Sequence, residues 1–116
     1  MWLCTKLGFY SIVQKRDGFH VRARTKRDLE NLCSAAKISP KIEDWPTADY
    51  RWRIVLRDML TMEVLWLGLM RSITYPNFKS EVYSRADQHN KRPAYNRLWQ
   101  SLADVQEEER AEERSK

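Results

Sequence analysis

Phe9-Tyr10-Ser11-Ile12-Val13-Gln14-Lys15-Arg16-Asp17-Gly18-Phe19-His20-Val21-Arg22-Ala23-Arg24 is the stretch that decides the fold. Apolar and polar residues alternate on both sides of Asp17-Gly18, and a period of two marks a half-buried strand. Asp-Gly between β-rich runs predicts a hairpin with those two residues as its loop. In that register Arg16 pairs with Phe19, Gln14 with Val21 and Ile12 with Ala23. One face then holds Tyr10, Ile12, Phe19, Val21 and Ala23, and the other holds Phe9, Ser11, Val13, Lys15, His20, Arg22 and Arg24. The first face is core; the second is basic.

Working outward, Gly8 divides a short first strand (Trp2 to Leu7) from the longer one. Thr25-x-x-Asp28 resembles a capping box, and Leu29, Leu32, Cys33 and Ala36 form the stripe of a helix that Ser39-Pro40 should end. Ile42 to Trp45 predicts a weak edge strand. Tyr50 to Arg57 alternates again, with Tyr50, Trp52, Ile54 and Leu56 on one side and Arg51, Arg53, Val55 and Arg57 on the other. Asp58 is a good N-cap for a helix through Ser72, with Met62, Leu65, Trp66, Leu69, Met70 and Ile73 as its buried stripe. Gly68 inside that helix costs about 1 kcal/mol relative to Ala, which points to close packing there. Tyr75-Pro76-Asn77-Phe78 starts a short helix to about Arg85. Pro93 suits the first turn of a last helix, whose buried stripe reads Tyr95, Leu98, Trp99, Leu102 and Val105.

The elements predict an α+β fold: an antiparallel sheet with helices mainly on one face, a ferredoxin-like variant with extra C-terminal helices. The 116 residues fit a single domain over 1–106, followed by a charged tail over 107–116 that is a frayed helix end or disordered. The net charge is +5, and removing the tail's five acids and three bases leaves 18 basic against 11 acidic residues. A basic body steers association with polyanions. Cys4 and Cys33 do not form a C-x-x-C pair, so two reduced structural thiols and a cytoplasmic setting are expected. Lys6 interrupts the N-terminal apolar stretch too early for a secretory signal. The longest apolar run, Val64 to Met70, is far shorter than the ~20 residues a membrane span needs.

Several blocks taken together resemble a family of small uncharacterised bacterial and phage proteins. They are Gly8-Phe9-Tyr10-Ser11, Val21-Arg22-Ala23-Arg24 with Asp28-Leu29-Glu30, Asp49-Tyr50-Arg51-Trp52-Arg53, Tyr75-Pro76-Asn77-Phe78-Lys79 and Tyr95 with Trp99. The resemblance spans Trp2 to about Val105, with the acidic tail and the short Asp17-Gly18 turn as departures. It carries over no catalytic residue, and implies an intracellular protein that travels on mobile elements.

No P-loop, G-x-G-x-x-G, G-x-S-x-G or metal-spaced His/Cys cluster is present, so no cofactor or metal is expected. The strongest chemical signal is the arginine face. Arg22, Arg24, Arg51, Arg53 and Arg57 carry planar, permanent charges suited to phosphate. With Lys15 and His20 at the rim and Phe9 for stacking, they make a candidate nucleic-acid-binding surface for RNA or single strands, provided the two arginine strands are neighbours. Against it stands an ordinary solvated sheet face paired with nearby acids. A second reading is a protein-binding inhibitor or adaptor from a phage or mobile element, anti-CRISPR-like, that docks on a nucleic-acid-handling complex. It requires an exposed apolar or aromatic patch, around Trp45 and Trp99. Tyr75, Asn77 and Lys79 form a possible partner-contact turn. A third reading is a small ribonuclease using His20, Arg22, Arg24 and Arg53; beside Arg22, however, His20 is a poor base.

Overall fold

The computed structural model describes Met1–Lys116. Five antiparallel strands, β1 (Trp2–Cys4), β2 (Phe9–Lys15), β3 (Gly18–Ala23), β4 (Glu43–Asp44) and β5 (Trp52–Leu56), form one sheet in the order β1-β2-β3-β5-β4. Helices α1 (Lys26–Ala36) and α2 (Met59–Arg71) pack on one face. Two further helices, α3 (Phe78–Ser84) and α4 (Arg92–Ser115), follow in the C-terminal third. The α+β class, the one-sided helices and the additional C-terminal helices are as the periodicity indicated. Compared with the ferredoxin-like pattern, the variation lies in the connectivity. Here α1 and the edge strand β4 lie in the chain between β3 and β5, which are adjacent and antiparallel.

The hairpin forms, but two residues out of the expected register. Ile12 pairs with Val21 and Lys15 with Gly18, so the turn is Arg16-Asp17. The positive φ falls on the following glycine (Gly18, 132°), where a Cβ would meet the Leu56 carbonyl oxygen at 2.5 Å. A slip of two leaves every side chain on its face. Tyr10, Ile12, Val21 and Ala23 accordingly join Leu29, Leu32, Ile54, Leu56, Leu65 and Leu69 in the core.

Thr25 caps α1 by accepting from the Asp28 amide at 3.4 Å. The helix ends at Lys37 in the left-handed region, ahead of Ser39-Pro40, because the Lys37 amide already closes the last turn on Cys33 and Ser34 carbonyls. Asp28 does not complete a capping box. Its carboxylate, 1% exposed, accepts from the Phe9 amide (3.1 Å), Gln88 Nε2 (3.0 Å) and Lys91 Nζ (2.9 Å). Strand β2, helix α1 and the His89–Lys91 3₁₀ turn before α4 are thereby tied to one side chain.

Asp58 caps α2 through the Thr61 amide at 2.7 Å, and Gly68 marks close packing as expected, since a Cβ there would lie 2.7 Å from Ala36 Cα. The expected α2 stripe is only partly buried. Leu65 and Leu69 are enclosed, while Trp66, Met70 and Ile73 are exposed together with Met59, Leu60 and Leu67. The α4 stripe is likewise corrected: Tyr95 is buried, but Trp99, Leu102 and Val105 are more than half exposed. Helix α4 leaves the body after its first turns, so those positions are only partly covered, Trp99 by Lys79 at 4.1 Å. The radius of gyration, 16.4 Å against about 13 Å for a compact 100-residue domain, reflects this projection. The tail over 107–116 continues α4 to Ser115, with Glu107 paired to Arg110 and Arg114 inside the helix. No helix is long and apolar enough to cross a membrane.

Asp28→Ala is expected to lower unfolding free energy by about 3–5 kcal/mol, since it strands the partly buried Lys91 and two further donors. Thr25→Ala should cost only about 1 kcal/mol. Urea titration of both variants checks the contrast; equal losses would show that Asp28 is a helix cap and no more.

Candidate nucleic-acid interface

One cross-strand row runs over the sheet face turned away from α1 and α2. Trp2 pairs with Ser11, Ser11 with Arg22, Arg22 with Arg53, and Arg53 with Glu43. The two arginine strands are therefore neighbours, and Arg22 stands directly opposite Arg53. Like charges directly opposite one another destabilise a sheet pair, so their surroundings are informative.

Neither guanidinium of the row has a carboxylate within 4.0 Å among the ion pairs of the fold. Arg22 donates through Nη2 to Ser11 Oγ at 2.6 Å. Arg53, 3% exposed, donates through Nη1 to His20 Nδ1 at 3.0 Å. The Nε atoms of both arginines are buried without a partner, each at a cost of about 1–3 kcal/mol. Burial first, and then the Arg22 charge, holds the Arg53 guanidinium below its ordinary pKa. The row thus contains two neighbouring cations whose hydrogen bonds go to neutral groups, with donor capacity left over.

His20 is buried within this network and does not sit at its rim. Because an arginine can only donate, Nδ1 accepts, and the ring proton sits on Nε2, which donates to Asp17 Oδ1 at 2.7 Å. That bond, more than any other contact, holds the Asp17 carboxyl below its usual range. Both ring nitrogens of His20 are thus engaged within the fold.

Aromatic rings complete the face. Trp45 lies over Arg53, with the guanidinium carbon 3.7 Å from the ring centroid, and its indole N–H donates to Glu43 at 3.2 Å. The indole is 39% exposed, so it backs onto a cation and leaves part of its surface to solvent. At the opposite edge Trp2, 69% exposed, meets Phe9 edge-on at 6.1 Å. Tyr50, expected on the core side with Trp52 and Ile54, instead meets the guanidiniums of Arg22 (4.7 Å) and Arg24 (4.4 Å) with its ring. It precedes the regular strand, which begins at Trp52, so strand alternation does not govern it.

The remaining predicted site residues separate. Arg24 joins the row through Tyr50 and donates to the Asp49 carbonyl at 2.9 Å. Arg51 is taken up by Asp44 in a two-pronged bond (2.8 and 3.0 Å), which raises its pKa and lowers that of Asp44. Arg57 reaches the Asp17 carbonyl at 3.4 Å, and Lys15 is exposed at the end of the hairpin. Within the Tyr75-Asn77-Lys79 turn, Asn77 caps α3 through the Ser80 amide, Tyr75 lies under Lys6 and Lys79 lies over Trp99. Those three side chains serve the C-terminal helices and stand apart from the arginine row. Asp17, Trp45 and Tyr50 are members that strand periodicity missed, whereas alternation had already put Ser11 on this face. Trp45 and Tyr50 follow or precede short strands, where only tertiary packing decides direction.

Compared with known protein families, with curated proteins and with solved structures, the chain finds no match in any of the three.

An under-satisfied arginine pair should take up a divalent oxyanion. At equal ionic strength, sulfate is expected to raise the melting temperature about 3 °C above chloride, and Arg22→Gln should abolish most of that difference. An unchanged sulfate increment in Arg22→Gln, read by circular dichroism, would assign it to general exclusion from the surface.

Proposed function

We propose that the chain is a non-catalytic binding domain whose arginine-bearing sheet face holds single-stranded nucleic acid, RNA foremost. The observation that carries this reading is the Arg22–Arg53 pair, with no carboxylate within 4.0 Å of either guanidinium although Glu43 and Asp17 act on Arg53 from further off, set between the exposed indoles of Trp2 and Trp45. Arginine forks suit phosphate oxygens, and indole faces suit unstacked bases. The outer strands stand about 19 Å apart, four inter-strand spacings, so a strand of a few nucleotides crossing the sheet would meet aromatic, cationic and aromatic surface in turn. Duplex offers no free base faces and should bind more weakly. The two unpaired cysteines fit a cytoplasmic site of action.

The test is a salt-titrated anisotropy assay with labelled single-stranded RNA, single-stranded DNA and duplex. The Arg22→Gln/Arg24→Gln variant should flatten the log K against log salt slope by about 1.4, since each single-strand phosphate contact contributes about 0.7. Trp45→Ala should weaken binding by about 1–3 kcal/mol. Absence of binding by wild type at low salt would end the reading.

A second reading has its own surface. Met59, Leu60, Val64, Leu67 and Met70 leave α2 apolar on its outer side, and a helix apolar all round belongs in an interior. We infer from this a protein partner of the inhibitor or adaptor kind, docked on α2 while the arginine row stays free. A complex held this way persists in high salt, and Leu60→Glu/Leu67→Glu should dissolve it without altering nucleic-acid binding. Loss of both together would tie the two surfaces to one fold defect and remove this reading.

A further inference from the structure

At the β1 end of the arginine row the sheet opens into a cleft of about 290 Å³. Trp2, Phe9, Tyr50, Ala94, Tyr95 and Leu98 line it. Arg24 stands in the same lining, stacked on Tyr50, and Asp28 with Lys91 adds a polar corner. The volume sits at the lower bound of small-molecule sites, roughly 300 Å³, so it suits one planar heterocycle and no more. Sheet and helix build it jointly: Trp2 and Phe9 come from β1 and β2, and Ala94, Tyr95 and Leu98 from the first turns of α4.

Two features distinguish the cleft from an ordinary gap between elements. Tyr95 is 9% exposed, yet its hydroxyl has no hydrogen-bond partner in the fold. Buried phenols usually find one, and the lack costs about 1–3 kcal/mol. Burial, with Cys4 and Asp28 nearby, raises the Tyr95 pKa, so the hydroxyl keeps its proton. The Asp28 carboxylate accepts three hydrogen bonds out of about four lone-pair sites, and Lys91 spends one proton of three on it. Donors and an acceptor thus meet beside apolar ring faces, which is the complement of a nucleobase: flat π surfaces with a mixed polar edge.

We propose that this cleft receives one base of a bound strand, splayed out of the stack, while Arg24 and Arg22 hold its phosphate. The base lies among the rings of Trp2, Phe9 and Tyr50, and its polar edge reaches the Tyr95 hydroxyl and Lys91. This rests on the reading of the arginine-bearing face as a nucleic-acid surface, and adds that one position of the strand is read by hydrogen bonds. A side chain from a protein partner would not explain why arginines flank the mouth. The base and its phosphate account for both.

Ala94 offers a clean obstruction, since it is exposed on α4 and a larger side chain there fills the cleft without entering the core. Wild type is titrated by NMR with 5′-AMP, 5′-GMP, 5′-CMP, 5′-UMP and ribose 5-phosphate, which lacks the base. Saturable shifts at Ala94, Tyr95 and Leu98 with nucleotides but not with ribose 5-phosphate support the proposal. Ala94→Phe should abolish those shifts and weaken binding of a labelled single-stranded nonanucleotide about tenfold, within the contribution of one stacked base, with the salt slope unchanged. Tyr95→Phe should compress the preference among the four nucleotides about fivefold at unchanged melting temperature, the effect of one lost hydrogen bond. If wild type and Ala94→Phe bind the nonanucleotide equally, and ribose 5-phosphate acts like the nucleotides, the cleft is not a base site although the arginine-bearing face still binds. If wild type does not bind the nonanucleotide at all, both proposals fall. Should Ala94→Phe not fold, the comparison of nucleotides with ribose 5-phosphate on wild type decides alone.

Discussion

The buried carboxylate of Asp28 is the constraint on which the rest depends. An ion at 1% exposure is stable only when paired and fully hydrogen-bonded, and here it joins its own helix to two other places in the chain. The Phe9 amide fixes where β2 begins, Gln88 and Lys91 fix how the C-terminal helices approach, and Asp28 itself sits in the first turn of α1. Tyr10 adds a bond from its hydroxyl to the Asp28 carbonyl at 2.6 Å. The close approach leaves no room for a side chain at residue 8, where a Cβ would fall 2.4 Å from the carboxyl carbon. Asn31 repeats the pattern one turn on, donating to the Leu7 carbonyl and to Asp87.

From that anchoring follows the asymmetry of the sheet. Helices α1 and α2 close one face over an aliphatic core, and the C-terminal helices are drawn to the β1 end, where Asp28 holds them. The middle of the other face keeps the row of Ser11, Arg22 and Arg53, with tryptophans at its margins. Arg51 shows what compensation looks like in this protein, since Asp44 accepts from it twice. Arg22 and Arg53 received a hydroxyl and an imidazole instead. The contrast within one sheet is between an exposed guanidinium held by a carboxylate and two more enclosed ones held by neutral groups.

Much of this was legible in the residues. Alternation around residues 9–24 and 50–57 gave the strands, their faces and the arginine stripe, because a period of two survives even a register error of two. Caps at Thr25, Asp58 and Asn77 gave the helix starts, and Gly68 the tightest helix contact. What escaped was non-local. No pattern near Trp45 or Tyr50 says that their rings turn onto arginines, and nothing near Asp28 says that Lys91, more than sixty positions on, will reach it. The stripes of α2 and α4 misled for a related reason: helical periodicity identifies a face that avoids water, but does not say that the same chain covers it.

The projection of α4 has an electrostatic consequence. Its 24 residues span about 36 Å, several Debye lengths at physiological salt. The acidic far end is therefore carried out of reach of the basic body, and the two form a dipole on a rigid stalk. Near any polyanion such a molecule experiences a torque before it makes contact: the stalk is pushed outward and the sheet face is swung inward.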